Sequence, residues 1–234
     1  MNTYKEKTYQ TQAMYHPATL MRQVFTTMTF GLAITGLAAW WVAHTPAVFG
    51  FLFAGPMMWV TMLAPLAIVW FLSARINHLT FSQASLAFAT YALVNGLSFS
   101  VIFMAFSLGA IFKVFLITAG TFGVMAFAGY TTAMDLSKMG SILSMALIGL
   151  VIAMVVNWFL DSSLMDYVIS VIGVVIFSGL TAYDTQKILG IAAHADPEQE
   201  STQKLGVLGA LTLYLDFINL FMFLLRLFGG NNRD

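Results

Sequence analysis

The chain has 234 residues, of which 59% are hydrophobic and 9% charged, with no cysteine and a formal net charge of zero. Soluble domains carry roughly 25% charged residues, so this is the composition of an integral membrane protein. Balanced charge argues against a nucleic-acid partner or a basic membrane-surface mode, and the lack of cysteine excludes a disulfide, a thiolate nucleophile, an iron–sulfur cluster or a cysteine-ligated zinc.

A hydrocarbon core about 30 Å thick asks for roughly 20 apolar residues per helix. Behind a polar N-terminal tail (1–22), seven runs meet that demand, at 23–43, 56–74, 84–107, 110–132, 141–160, 167–188 and 205–228, before a short tail at 229–234. The first run ends near Trp40 and Trp41 and exceeds the roughly 7 to 15 residues of a cleavable signal core. The second contains Pro65 and closes on Arg75. Only Ser-Leu-Gly-Ala separates the third from the fourth, so six is the alternative count. The fourth carries Gly120, Gly123 and Gly129, small residues that let helices approach closely. Strand-like alternation is absent and the runs are too long for a membrane barrel, which predicts one all-α membrane domain over 23–228.

Orientation follows from the cations. With the N-terminus in the cytoplasm, Lys5, Lys7, Arg22, Arg75, Lys138, Lys187 and Lys204 fall on the inner side, and Lys113, Arg226 and Arg233 on the outer. The bias predicts an N-in, C-out protein, or a C-terminus inside if the last helix is re-entrant.

Two carboxylates lie within the spans. Asp184 sits in GLTAYDTQKI near the inner end of the sixth run, and Asp216 near the middle of the seventh, LTLYLDFINLFMFLLRLF. An aspartate at a helix centre costs about 2.5 to 3.5 kcal/mol on insertion scales, so it should have a partner or a use. Residues equidistant from the tip of a helical hairpin share a depth, and residue 200, in the polar stretch HADPEQESTQK, lies midway between the two. If the sixth helix continues past Lys187 toward His194, the carboxyls face each other. Such a pair cannot ionise twice cheaply, so it tends to share one proton and to act as a proton-sensitive latch. Two bare carboxylates are also hard oxygen ligands of the kind calcium prefers. Arg75 could neutralise one of them, and Thr212 and Asn219, at i−4 and i+3 from Asp216, could orient it.

Plainer readings compete. Asp184 could pair with Lys187 in the wet interface, Asp216 could make a structural interhelical hydrogen bond, and Arg75 could be a snorkelling anchor. The segments Thr132–Lys138 and Thr181–Lys187 share the pattern T-A-x-D-x-x-K. It reads as common helix-end chemistry, with a cation at each C-terminus, or as a faint repeat of hairpins.

GLTAYDTQK followed by LTLYLDFINLFMFLLRLFG resembles the two terminal-helix signatures of the Bax inhibitor family, the transmembrane Bax inhibitor motif proteins, and most of all their bacterial inner-membrane members. The resemblance implies a seven-helix bundle with the last helix central. It implies a pH-sensitive calcium leak gated by an aspartate pair, which maps to Asp184 and Asp216, with Arg75 as latch partner. Some bacterial relatives are associated instead with restraining a membrane protease. A non-conducting regulator that binds another membrane protein is therefore the rival expectation.

Catalysis is not expected. An intramembrane aspartyl protease would pair the Tyr183-Asp184 motif with G-x-G-D, but this chain has Leu213-Tyr214-Leu215-Asp216, without the glycines that admit a substrate backbone. The histidines His16, His44, His78 and His194 lie outside or at the ends of the runs, with no H-E-x-x-H zinc motif. No resident cofactor is expected; calcium enters as the permeant or bound ion, and the bilayer is the first partner.

Overall fold

The computed structural model of the chain describes residues 17–196 and 199–230. The tail ahead of Pro17, with Lys5, Lys7 and His16, and the C-terminal residues with Arg233 lie outside the described residues. Helices follow one another as α1 (Pro17–Ala43), α2 (Pro46–Phe53), α3 (Gly55–Arg75), α4 (Phe81–Phe99), α5 (Ile102–Ala105), α6 (Leu108–Thr131), α7 (Ser137–Leu160), α8 (Ser163–Ala192) and α9 (Glu200–Phe228), with a 3₁₀ turn at Ile76–His78. Seven spans are long and apolar enough to cross a membrane, α4 and α5 together making the third. No strand occurs among the described residues.

Local chemistry fixes the boundaries. The separation of the third and fourth spans is real because Ser107, the first residue of Ser-Leu-Gly-Ala, caps α6 by accepting a hydrogen bond from the Ala110 amide at 3.2 Å. Thr80 and Gln83 form a reciprocal capping box at the start of α4. At the turn between α7 and α8, Asp161 takes the left-handed conformation (φ 47°) that asparagine and aspartate tolerate best, and Ser162 caps α8. Helix α1 begins at Pro17, ahead of the apolar run expected from residue 23, and buries Leu20, Met21 and Val24 in its first turns. Hydropathy marks what the bilayer covers, whereas the helix continues as far as tertiary packing supports it.

The spans differ in how much protein covers them. In α9, 72% of the apolar window is buried, against 39% or less in each of the others and only 11% in α7. Helix α9 packs against α8, α1, α6 and α4. Helix α7 instead turns Ile142, Met145, Ile148, Ile152, Val155 and Phe159 outward, the face left to lipid. Of the three glycines singled out in α6, Gly129 is the one used for close approach: a side chain there would run into the backbone of Ala182 in α8. Gly120 and Gly123 face open space and pack against nothing.

Pro65 stays inside α3 without ending it. A proline has no N–H, so the carbonyl four residues earlier, Thr61, loses its helical partner. The Ser98 hydroxyl of α4 donates to that carbonyl, and the Thr61 hydroxyl donates to the Leu52 carbonyl at the end of α2. In hydrocarbon no water could take the place of these bonds, so the Pro65 site ties α2, α3 and α4 together. Ser98→Ala should therefore lower unfolding stability by about 1 kcal/mol, and the loss should shrink in a Pro65→Ala background, where the amide returns. Denaturant unfolding in micelles for the four proteins of that double-mutant cycle measures the coupling, and additive losses would dissociate Ser98 from Pro65.

Candidate functional site

Helices α8 and α9 form an antiparallel hairpin joined through residues 193–199. Its register is set by packing of large side chains into small ones. The Phe223 ring lies against Gly173 and stacks on Phe177 at 5.8 Å, and Ile188 meets Gly209 nearer the tip. Because α8 extends past Lys187 to Ala192, the same register sets Asp184 opposite Asp216, and the two carboxyls lie within hydrogen-bonding reach of each other.

The two environments are unequal. Asp216 is 4% exposed, whereas Asp184 is half-buried and feels Lys187 one turn on. Among the described residues, no N–H or O–H donates to Oδ2 of Asp216, although that oxygen is fully buried. The neighbouring polar group is another carboxyl, which donates only when protonated. A single proton between them would satisfy both acids, whereas two ionised carboxylates would leave a buried charge without compensation. Beside the pair, Leu20, Lys187, Ile188, Gly209 and Thr212 line, with Asp184, a pocket of about 90 Å³. The Lys187 ammonium itself lies over the Tyr183 ring, 5.8 Å from its centroid.

Three expected partners are not brought to the pair. Thr212 donates to the Leu208 carbonyl at 3.1 Å and Asn219 to the Leu215 carbonyl at 2.8 Å, so both bond back to their own helix rather than orient Asp216. In a helix the i−4 carbonyl is always within reach of a short polar side chain, and it outcompetes a group that must be aimed. Arg75 is exposed at the end of α3 and makes no ion pair among the described residues. The described ion pair joins Arg226 to Asp166 at 3.5 Å, near the far ends of α8 and α9. No group of three or more ligating side chains is present among the described residues. Calcium takes six to eight oxygens, so two carboxyls would form only part of its shell.

Two polar clusters escaped the sequence reading. On the face of α9 turned away from Asp216, the Tyr214 hydroxyl accepts from the Asn95 amide at 2.8 Å and lies 2.6 Å from the Thr35 hydroxyl, which reaches the Ala92 carbonyl at 2.9 Å. Phe88 and Tyr91 pack edge-on against the Tyr214 ring. On the far side of α8, the Gln186 side chain donates to the Met134 carbonyl at 2.7 Å and accepts from the Leu136 amide at 2.9 Å. The signal available was a polar residue inside each of three apolar runs, since Thr35, Asn95 and Tyr214 each needed a buried partner.

Gln186 also corrects the reading of the repeated T-A-x-D-x-x-K. The first copy is the turn between α6 and α7, where Asp135 accepts from the Ser137 amide at 2.9 Å. Its contacts with Ser137 hold the Asp135 carboxyl below its ordinary range. The second copy lies inside α8, which runs on to Ala192, so the two do not share a helix end.

Residues 17–233 match the family model described as "Inhibitor of apoptosis-promoting Bax1". The chain is 45% identical over 214 residues to Inner membrane protein YbhL of Escherichia coli strain K12, covering 91% of this chain and 92% of that protein. It is 40% identical over 215 residues to an uncharacterized protein of Borreliella burgdorferi, covering 92% and 93% of the two chains. An uncharacterized protein of Deinococcus radiodurans is 41% identical over 216 residues, covering 92% of this chain and 91% of that one. With seven apolar spans and a family match over nearly its whole length, the chain is an integral membrane protein and belongs to the Bax inhibitor family.

Proposed function

We propose that the protein is a pH-sensitive cation leak of the bacterial inner membrane, with calcium as the ion, its N-terminus in the cytoplasm, and the Asp184–Asp216 pair as the proton-sensing gate. One observation carries the reading: a buried carboxyl oxygen of Asp216 has no donor among the described residues, and its polar neighbour is the Asp184 carboxyl on the adjacent helix. A shared proton holds α8 and α9 together. Its loss puts two like charges at one contact, and their repulsion favours parting the hairpin, which would open a path lined by carboxylate oxygens suited to a hard cation. The similarity to an inner membrane protein supports the location, and the excess of lysine and arginine on the inner side supports the orientation.

Calcium flux through the purified protein in liposomes, followed against pH, tests this reading. A pH-dependent flux above protein-free liposomes is expected; its absence would leave the rival reading, a non-conducting regulator of another membrane protein. Asp216→Asn keeps the shape and can donate to Asp184 but cannot ionise, so it should abolish more than about half of the pH-dependent change while the protein stays folded. An unaltered profile would remove Asp216 from proton sensing.

Arg75 supplies a second test. Exposed and without an ion pair among the described residues, it acts as an inner-side anchor, for which charge matters and shape does not. Arg75→Lys should insert normally and reproduce the parental flux and pH profile. A shifted profile in a correctly inserted Arg75→Lys protein would show that the guanidinium fork is needed at the gate after all.

A further inference from the structure

The gate requires two helices to present their carboxyls to each other, and each helix is held from behind at a corresponding position. Gln186 follows Asp184 by two residues and Tyr214 precedes Asp216 by two. Two residues turn a helix by about 200°, so each side chain leaves its helix nearly opposite the carboxyl. Both positions also lie on the hairpin-tip side of their aspartate. We propose that Gln186 and Tyr214 are positioning residues for the pair. Gln186 anchors α8 to the α6–α7 turn, Tyr214 anchors α9 to α1 and α4, and together they press the two carboxyls into contact. The proposal rests on the shared-proton reading above and assigns what holds that proton in place.

Each anchor resists rotation for a geometric reason. The Gln186 amide donates to one backbone group of the turn and accepts from another two residues along, a two-point contact that a rotated α8 could not keep. The turn is itself fixed, by the Asp135–Ser137 bond and by the Thr132 hydroxyl accepting from the Met134 amide. Tyr214 is wholly buried, and its hydroxyl joins Asn95 of α4 to Thr35 of α1, which ends on the Ala92 and Gly31 carbonyls. Gly96 makes the α1–α4 approach possible, because a Cβ there would lie 2.5 Å from the Thr35 carbonyl oxygen. Rotating α9 would strand these groups in a region without water.

Lys187 of α8 acts on the Asp184 member of the pair. The elements packed around the hairpin carry Arg22 on α1, His78 in the 3₁₀ turn, Lys113 on α6 and Lys138 on α7, and the hairpin itself carries Asp166, Glu200, Lys204 and Arg226, all toward helix ends. Helix α4 brings Tyr91 and no charged residue, α6 also brings Tyr130, and α8 brings Tyr183.

The decisive measurement is the infrared absorption of the protonated carboxyl at neutral pH in lipid nanodiscs, identified by its loss in Asp216→Asn. Tyr214→Phe keeps the ring and removes the hydroxyl; Gln186→Met keeps the length and removes both hydrogen bonds. Each should lower the ratio of protonated to ionised carboxyl, read from the band across pH, about three-fold or more, the equilibrium equivalent of one net hydrogen bond, with helix content unchanged. If Tyr214→Phe folds poorly, Asn95→Leu removes the same bond from the other side. Tyr91→Phe, which alters a neighbouring ring outside the network, should leave the band at parental size. A parental band in both Tyr214→Phe and Gln186→Met overturns the proposal and leaves the shared proton standing. An equal decrease in Tyr91→Phe also overturns it, because general loosening would then explain the effect. A parent protein with no Asp216-dependent band overturns the shared-proton reading, and the positioning role with it.

Discussion

A polar atom inside hydrocarbon has no solvent to turn to, so each must find its partner within the chain. Much of the architecture follows from that constraint. Backbone groups close on themselves in helices. Thr118, Thr181 and Thr185 each bond back to a carbonyl one turn earlier, and the carbonyl orphaned by Pro65 is taken up by Ser98 of the next span. Thr35, Asn95 and Tyr214 meet at one point where three helices cross. Among the described residues, one buried side-chain atom is left without such a partner, and it belongs to Asp216. Surroundings that satisfy their other buried polar side chains make that exception informative, because the group it faces can complete the bond only by binding a proton.

The two members of the hairpin that carries the pair are coupled by large side chains packed onto glycine. Phe223 fills the space over Gly173, and Ile188 the space over Gly209, so the helices are in register through apolar contacts on both sides of the carboxyls. These contacts hold α8 and α9 together on either side of the carboxyls, so a parting driven by the acids would be local to the stretch between them. In the proposed gate the pair would then bias a local separation without carrying the stability of the fold, which suits that role better than a structural ion pair would.

Most of the fold was legible in the sequence, because bilayer thickness imposes a length on every span and hydropathy records it. The facing of Asp184 and Asp216 was legible too, from their symmetric distance about the polar stretch near Glu200. What hydropathy could not give was direction around the helix axis. Thr212 and Asn219 have the right spacing to reach Asp216, yet their shorter route is to the carbonyls of their own turn. Arg75 has the right charge and membrane side, but its place at the end of a span on the bundle exterior leaves it exposed. Thr35, Asn95 and Tyr214 come from the first, third and last spans, and no local pattern announces that they converge. Only the packing of α1 on α4, made close by Gly96, brings them together.

Helix α7 owes little to its neighbours, with 11% of its apolar window covered by protein. It is moored at its N-terminal end, where the Tyr183 ring rests against Gly140 and the turn leading into the helix is gripped by Gln186. Most of its free energy of placement therefore comes from contact with acyl chains. At 24 residues and about 1.5 Å per residue it is longer than an average hydrocarbon core, so it must tilt or draw the bilayer thicker around it. In a short-chain detergent micelle that solvation is incomplete, and α7 becomes the span whose seating depends most on the amphiphile chosen. Its mooring is at the turn that also steadies α8, so the thickness of the surrounding lipid bears mechanically on the same end of the molecule as the hairpin tip.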